Sequence, residues 1–480
     1  MRRNLLGLLL ASLATAGTAA PALAARPLQT GLMDGTGVYG GPDSEMAFAK
    51  TSEAGARVVR MAVSWADVAP RQPQDATNPG DPVYRFKGLD ERVQRATRLG
   101  LQPLVYVARE VPEWARVPDG SWRPQAAPYA QLARAMAVRY SGTFEGLPRV
   151  RYWQAWNEPN LDFYLKQNGM DGAHYYRDMV NRFAAEVKAV HRSNLVVAGG
   201  TAPFSESSTE KWGTPAMAFM AEMLCMTDTR HPRRKCRDRV RFDVWAHNPY
   251  TSGSPSHRAT KRGDVSLGDL PRMARLLRAA ARAGRIVGTS RPRFWVTEFA
   301  WDSSPPDPGG VPEEEHARWL SEALYGMWRN GVSLAIWFGV RDAVKPANRD
   351  WAETYQSGLW ARGDDPSFAG DRPKLALQAF RFPFVALPAG RAVRVWGRVP
   401  PDRRGRVTIE QQRGERWRVV ARLASDRNGM FDRRLRLRAR GALRATVAGE
   451  LSVPFVPRRT RDRRVNPFGG TQPEPVEPNP

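Results

Sequence analysis

Two glutamates in this 480-residue chain follow apolar runs, where a strand should be ending. Glu158 lies in Trp156-Asn157-Glu158-Pro159-Asn160, behind "RYWQA", and Glu298 lies in "FWVTEF". Pro159 forbids orderly continuation of a strand, so Asn157 and Glu158 sit at a turn. Two carboxylates brought to one site can divide acid–base work. One with a raised pKa gives up a proton, while the other stays ionised and attacks a carbon or activates water. Arg60, in "VVRMAV", interrupts a third apolar run, and a guanidinium inside a fold needs an anion. Taken singly each motif is weak, and either glutamate reads as a solvated loop residue. The elements that carry them decide the matter.

Between residues 28 and 385 short apolar runs alternate with helical patterns. The runs are 30–35, 57–65, 101–108, 149–156, 195–201, 239–250, 293–299 and 332–340. Each is followed by a helix-period segment; in the fourth, Met179, Phe183 and Val187 recur every four residues. The runs are nearly continuous in apolar character, as in a parallel sheet buried on both faces. Eight such units predict an α/β fold, a (β/α)8 TIM barrel. A doubly wound sheet competes, but no Gly-rich phosphate loop follows the first run. In a barrel, polar residues just past the C-terminal ends of strands face substrate. Glu158 ends the fourth strand and Glu298 the seventh, which sets two carboxylates at one mouth, the requirement for glycoside hydrolysis.

At these strand ends the chain resembles the large clan of retaining, cellulase-like (β/α)8 glycoside hydrolases. It is most similar there to the β-xylosidase and α-L-iduronidase family, with the cellulase-like family next. The resemblance implies Glu158 as acid/base in "WNEPN" and Glu298 as nucleophile in "WVTEF". It implies that Asn157 binds the sugar 2-hydroxyl and that Arg60 keeps the nucleophile ionised. His247 and Tyr250, in "WAHNPY", belong to the active-site wall, and Trp337, in "AIWFGV", is a platform beneath a sugar ring. Each has a plainer reading beside this one: a structural ion pair for Arg60, a turn cap for Asn157, a supporting histidine, a packing tyrosine, a core tryptophan. His174 and His316, on helices, are expected to be exposed. The implied activity is retaining hydrolysis of O-glycosidic bonds in a polysaccharide, oligosaccharide or glycoside, with no metal or organic cofactor. Transglycosylation on the same site, or a non-catalytic carbohydrate-binding protein on a retired barrel, are the alternatives.

The rest of the chain sets the address and the accessories. Arg2 and Arg3 precede an apolar run, Leu5 to Ala20, and Ala22-Leu23-Ala24 offers a cleavage site. Residues 1–24 therefore read as a secretory signal peptide, too short for a membrane span, and the mature protein is expected to be secreted or envelope-associated. In that compartment Cys225 and Cys236, the two cysteines present, are expected to form a disulfide. The catalytic domain is placed at 28–387. From 388 to 456 short alternating runs separated by Gly, Asp and Asn predict a small antiparallel β-sandwich. Residues 457–480, basic and then Pro-rich, are expected to be a disordered tail. The formal charge is +25, and residues 391–464 hold 22 arginines against seven acids. Such a surface suits an anionic envelope or polysaccharide, or is simply solvated; no nucleic-acid motif accompanies it.

Overall fold

The apolar runs close on themselves because each strand must be buried twice, under helices outside and against packed side chains within. The computed structural model describes residues 27–466 apart from 36, 108–109, 120, 122, 207–210 and 438–439. Its barrel strands are β1 (Gln29–Met33), β2 (Val58–Val63), β3 (Gln102–Val107) and β4 (Tyr152–Gln154). β5 (Leu195–Thr201), β6 (Val244–His247), β7 (Arg293–Phe299) and β8 (Val332–Phe338) complete it. All are parallel and paired in chain order. At the seam Gln29 to Met33 run beside Leu334 to Phe338, and Gly31 and Leu32 pair with Val58 and Val59. Gly31 is required there, because a Cβ would lie 2.7 Å from the Val58 carbonyl oxygen.

The helices longer than a single turn are α1 (Ser44–Glu53), α2 (Lys87–Arg98), α3 (Ala126–Arg139), α4 (Asp171–Val190), α5 (Ala216–Met223), α6 (Leu270–Arg282), α7 (Glu313–Arg329) and α8 (Leu375–Arg381). Their buried stripes follow the sequence period; Met179, Phe183 and Val187 of α4 all face the barrel core. α7 has Glu313 to Glu315 in its first turn and Arg329 in its last, which suits the helix dipole. Among the described residues no helix is long and apolar enough to cross a membrane.

Two antiparallel sheets follow. β9 (Phe384–Ala389), β10 (Ala392–Arg398) and β13 (Met430–Leu435) form one. β11 (Arg406–Arg413), β12 (Arg416–Ala424), β14 (Leu443–Val447) and β15 (Glu450–Leu451) form the other. The first strand starts four residues before the expected boundary at 388. Trp396 is fully buried and packs on Tyr325 and Trp328 of α7, ring centroids 5.4 and 5.7 Å away, so it is an interdomain core residue. Trp417 is half-buried beneath the Arg444 guanidinium, 4.1 Å away. Residues 457–466, expected to begin a disordered tail, run instead along the barrel and bond to α7 and to the loop after β6. Residues 1–26, which include the expected signal peptide, and residues 467–480 lie outside the described residues.

Cys225 and Cys236 are bonded, with Cα atoms 5.2 Å apart, and close a loop between α5 and β6. Neither lines the cavity that holds Glu158 and Glu298. Cross-linking so short a loop constrains the unfolded chain by about 2–3 kcal/mol. Reduction should therefore lower Tm by a few degrees and leave kcat of the folded protein unchanged. Parallel thermal melts and rate measurements with and without reductant check both halves.

Candidate active site

The turn after β4 is held in an unusual shape. Trp156 and Glu158 have φ of 74° and 41°, left-handed values that cost an L-residue on the order of 1–3 kcal/mol each. The surroundings over-determine the turn. The Glu158 backbone N–H donates to the Gly200 carbonyl at 3.0 Å. The Asn160 amide donates to Ala202 and Thr214 carbonyls at 3.2 and 3.1 Å, and its oxygen accepts from the Ala202 N–H at 2.8 Å. Gly200 has a left-handed φ of 64°, and a Cβ there would sit 2.7 Å from the Gln154 amide nitrogen. The consequence of Asn-Glu-Pro-Asn is thus a strained, anchored turn that delivers a half-buried carboxylate to the barrel mouth.

Across the mouth, β7 presents Glu298, and β2 meets it with Arg60. The Arg60 side chain is fully buried and uses each of its nitrogens. Nη1 donates to Glu298 Oε1 at 2.5 Å, Nη2 to Asn157 Oδ1 at 2.6 Å and Nε to Gln154 Oε1 at 3.0 Å. Its plane lies 3.8 Å from the Tyr106 ring centre. One guanidinium therefore ties together the ends of β2, β4 and β7. The Tyr250 hydroxyl, kept protonated by burial and by the nearby Glu298 charge, donates to Glu298 Oε2 at 3.1 Å. Both oxygens of Glu298 therefore accept hydrogen bonds, one of them from a cation.

Glu158 has different company. Asn248 donates to its Oε1 at 3.0 Å, and Asn248 is itself oriented by the Thr297 hydroxyl, which donates to its Oδ1 at 2.7 Å. Burial, and then the charge of Glu298, push the Glu158 pKa up to about 8, against the smaller opposing pull of Asn248 and Arg60. The two carboxyls thus have different surroundings: Glu158 is held toward its protonated form, and Glu298 is paired with a buried cation.

A cavity of about 640 Å³ contains Arg60, Asn157, Glu158, Tyr250 and Glu298 in its wall. Aromatic residues at Tyr106, Tyr164, Trp212, Phe338 and Tyr355 surround them. No family model matches the chain, and no curated protein matches it. The fold is a distant match to (β/α)8 glycoside hydrolases. A GH39 enzyme from Xanthomonas axonopodis pv. citri is similar at 15% identity and a TM-score of 0.49, covering 90% of this chain and 94% of that one. A monomeric β-xylosidase from Caulobacter crescentus CB15 is similar at 18% identity and a TM-score of 0.48, covering 84% and 85%. A glucosidase from Croceicoccus marinus is similar at 16% identity and a TM-score of 0.47, covering 83% and 80%.

Two residues expected to face sugar stand behind the cavity wall. His247 is fully buried; its Nε2 donates to the Val265 carbonyl at 2.8 Å and its Nδ1 accepts from the Thr201 hydroxyl at 2.8 Å. Burial lowers its pKa to about 4, so it is a neutral brace between β5, β6 and the following loop. Trp337 is also fully buried, donates to the Ser357 carbonyl at 2.7 Å and packs edge-on against Phe299. β8 keeps an unbroken register with β1 through Trp337 and Phe338, so these neighbours point to opposite faces of the strand. Phe338 lines the cavity in its place, and Gly35 leaves room for its ring, since a Cβ there would meet that ring at 2.4 Å. His316, expected to be exposed, is buried and donates to the Trp301 carbonyl at 2.8 Å. His174 is exposed beside Glu222. Gln154, Asn248 and Tyr106 were not marked by the sequence reading. The signal for Asn248 was available: it lies between His247 and Tyr250, one residue past the strand, where side chains turn to the mouth.

Proposed function

We propose that this protein is a glycosidase that hydrolyses O-glycosidic bonds with retention of anomeric configuration. One observation carries the reading. Two carboxyls share a cavity lined by aromatic rings; burial raises the pKa of Glu158, and Glu298 is ion-paired with Arg60. A Glu298 oxygen attacks the anomeric carbon. The carbon–oxygen bond to the leaving group breaks, and the departing oxygen takes the Glu158 proton. Glu158, now a carboxylate, removes a proton from water; the water oxygen attacks the same carbon and releases Glu298. Retention requires the two carboxyl groups to lie ~5–5.5 Å apart. Arg2 and Arg3 before the apolar run Leu5 to Ala20 support an exported enzyme, with a carbohydrate polymer or glycoside as its substrate.

Turnover of a panel of aryl glycosides and polysaccharides, with proton NMR of the first-formed anomer, tests the reading. Retained product supports it, and inverted product rules out the covalent intermediate. The pH profile is a second check. A general acid works only while protonated, so kcat/KM should hold up to neutrality and fall as pH rises through about 8, where Glu158 loses its proton. With a dinitrophenyl leaving group, which departs without protonation, that basic limb should vanish from the first step. A basic limb that persists would assign it to another group.

A further inference from the structure

The chain does not stop at its last sheet strand; it crosses α7 and reaches the loop that follows β6. Arg318 of α7 grips it, donating Nη1 to the Val456 carbonyl at 3.0 Å, Nη2 to Arg458 at 2.6 Å and Nε to the Thr460 hydroxyl at 2.8 Å. The Thr460 hydroxyl in turn donates to Glu322 at 2.7 Å, and Arg463 pairs with Glu315 at 2.9 Å. Beyond α7, three donors of the β6 loop converge on one carboxylate. Asp462 Oδ1 accepts from the Ser254 N–H at 3.1 Å and the Ser254 hydroxyl at 2.9 Å, and Oδ2 lies 2.7 Å from His257 Nδ1. The Val465 N–H adds a bond to the Ser252 carbonyl at 3.2 Å.

That loop begins at the active site. Tyr250, whose hydroxyl reaches Glu298, is followed by Thr251, and the Thr251 and Gly253 carbonyls accept from the Trp301 indole at 3.1 and 3.0 Å. Trp301 stands three residues beyond Glu298 on the β7 side. Residues 251–254 are buried yet belong to neither helix nor strand, so their polar groups depend on such partners. Removing Asp462 would strand the buried Ser254 N–H and leave its hydroxyl with Ser256 Oγ at 3.1 Å, a cost that the loop relieves by moving.

We propose that residues 456–466 are a strap that completes the active site, and that Asp462 is a positioning residue, holding the 252–257 loop so that the Tyr250 hydroxyl stays on Glu298. The role rests on the glycosidase reading above. It makes the C-terminal segment part of the reacting geometry although no residue of the strap lines the cavity.

Asp462→Asn, which keeps size and one acceptor, tests this in the full-length protein, with Arg459→Ser, exposed on the same segment, as the control. Amide exchange across 251–257 should quicken on the order of 10-fold in Asp462→Asn, with exchange in the barrel strands unchanged. kcat should fall about 10-fold while KM stays within about two-fold. In a Tyr250→Phe background the same substitution should cost less than about two-fold, because the hydroxyl it positions is already gone. Unchanged loop exchange would overturn the strap, and a full additional loss in the Tyr250→Phe background would overturn the positioning role. A wild type that cleaves no glycoside would remove the hydrolase reading alone; the exchange comparison still decides the strap.

Discussion

Glu298→Ala is expected to lower kcat on the order of 10⁵-fold, and azide is expected to restore turnover as a glycosyl azide of inverted configuration. The side chain removed is the nucleophile in the proposed mechanism, and its loss leaves a space on that face of the anomeric carbon. Azide fills the space and attacks once, so the product is inverted. Glu158→Ala should respond in the opposite sense. There Glu298 still forms the covalent intermediate from an activated aryl glycoside, azide attacks it from the other face, and the product is retained. The two stereochemical outcomes assign both residues in one experiment, read by NMR of the azide products. The same configuration from both variants would break the assignment. Because removing Glu298 leaves the Arg60 charge buried and unpaired, Tm is expected to fall as well. Glu298→Gln, which keeps the volume and an acceptor, separates lost chemistry from lost folding.

What the sequence made legible was whatever is repeated or chemically out of place. Eight apolar runs at similar spacing leave little choice but a closed parallel sheet, and the observed strands fall within or beside those runs. A charged residue in an apolar strand stands out because burial is costly, and Arg60, Glu158 and Glu298 could be singled out for that reason. The rest was hidden by geometry that no pattern encodes. Trp337 and Phe338 are adjacent and aromatic, they alternate on opposite faces of β8, and only the placing of that strand in the barrel decides which one meets the cavity. His247 and Asn248 are adjacent and polar, and the end of β6 turns the first into the wall and the second onto Glu158. The start of the tail, residues 457–466, was hidden for a different cause. Composition marks a segment that cannot bury apolar surface, whereas residues 457–466 are held by hydrogen bonds and ion pairs to Arg318, Glu315 and the β6 loop. Such contacts leave no hydrophobic period to detect.

Arg60→Met carries the second large expected effect, a loss in kcat/KM on the order of 10²-fold or more together with an acid limb displaced to higher pH. Methionine keeps most of the stem volume, so the substitution removes hydrogen bonds and charge with little cavity. Four things change at once. Glu298 loses a 2.5 Å charge-assisted bond, Asn157 loses its 2.6 Å donor, Gln154 loses the group its oxygen accepts from, and the Tyr106 ring loses the cation stacked on it. Among the described residues Tyr250 then remains to hold Glu298. A carboxylate in a desolvated cavity beside a second carboxyl, without its cation, is favoured in the protonated form. The attacking anion therefore appears only at higher pH, which moves the acid limb up; the basic limb, set by Glu158, should move far less. Stability should also fall, by roughly 3–5 kcal/mol if the buried carboxylate is left charged and less if it takes up a proton. The double variant Arg60→Met with Glu298→Gln separates these terms: without a charge to bury, it should recover part of the lost Tm and none of the lost rate. An Arg60→Met enzyme with full activity and an unshifted acid limb would mean that the guanidinium braces three strand ends and takes no part in keeping the nucleophile ionised.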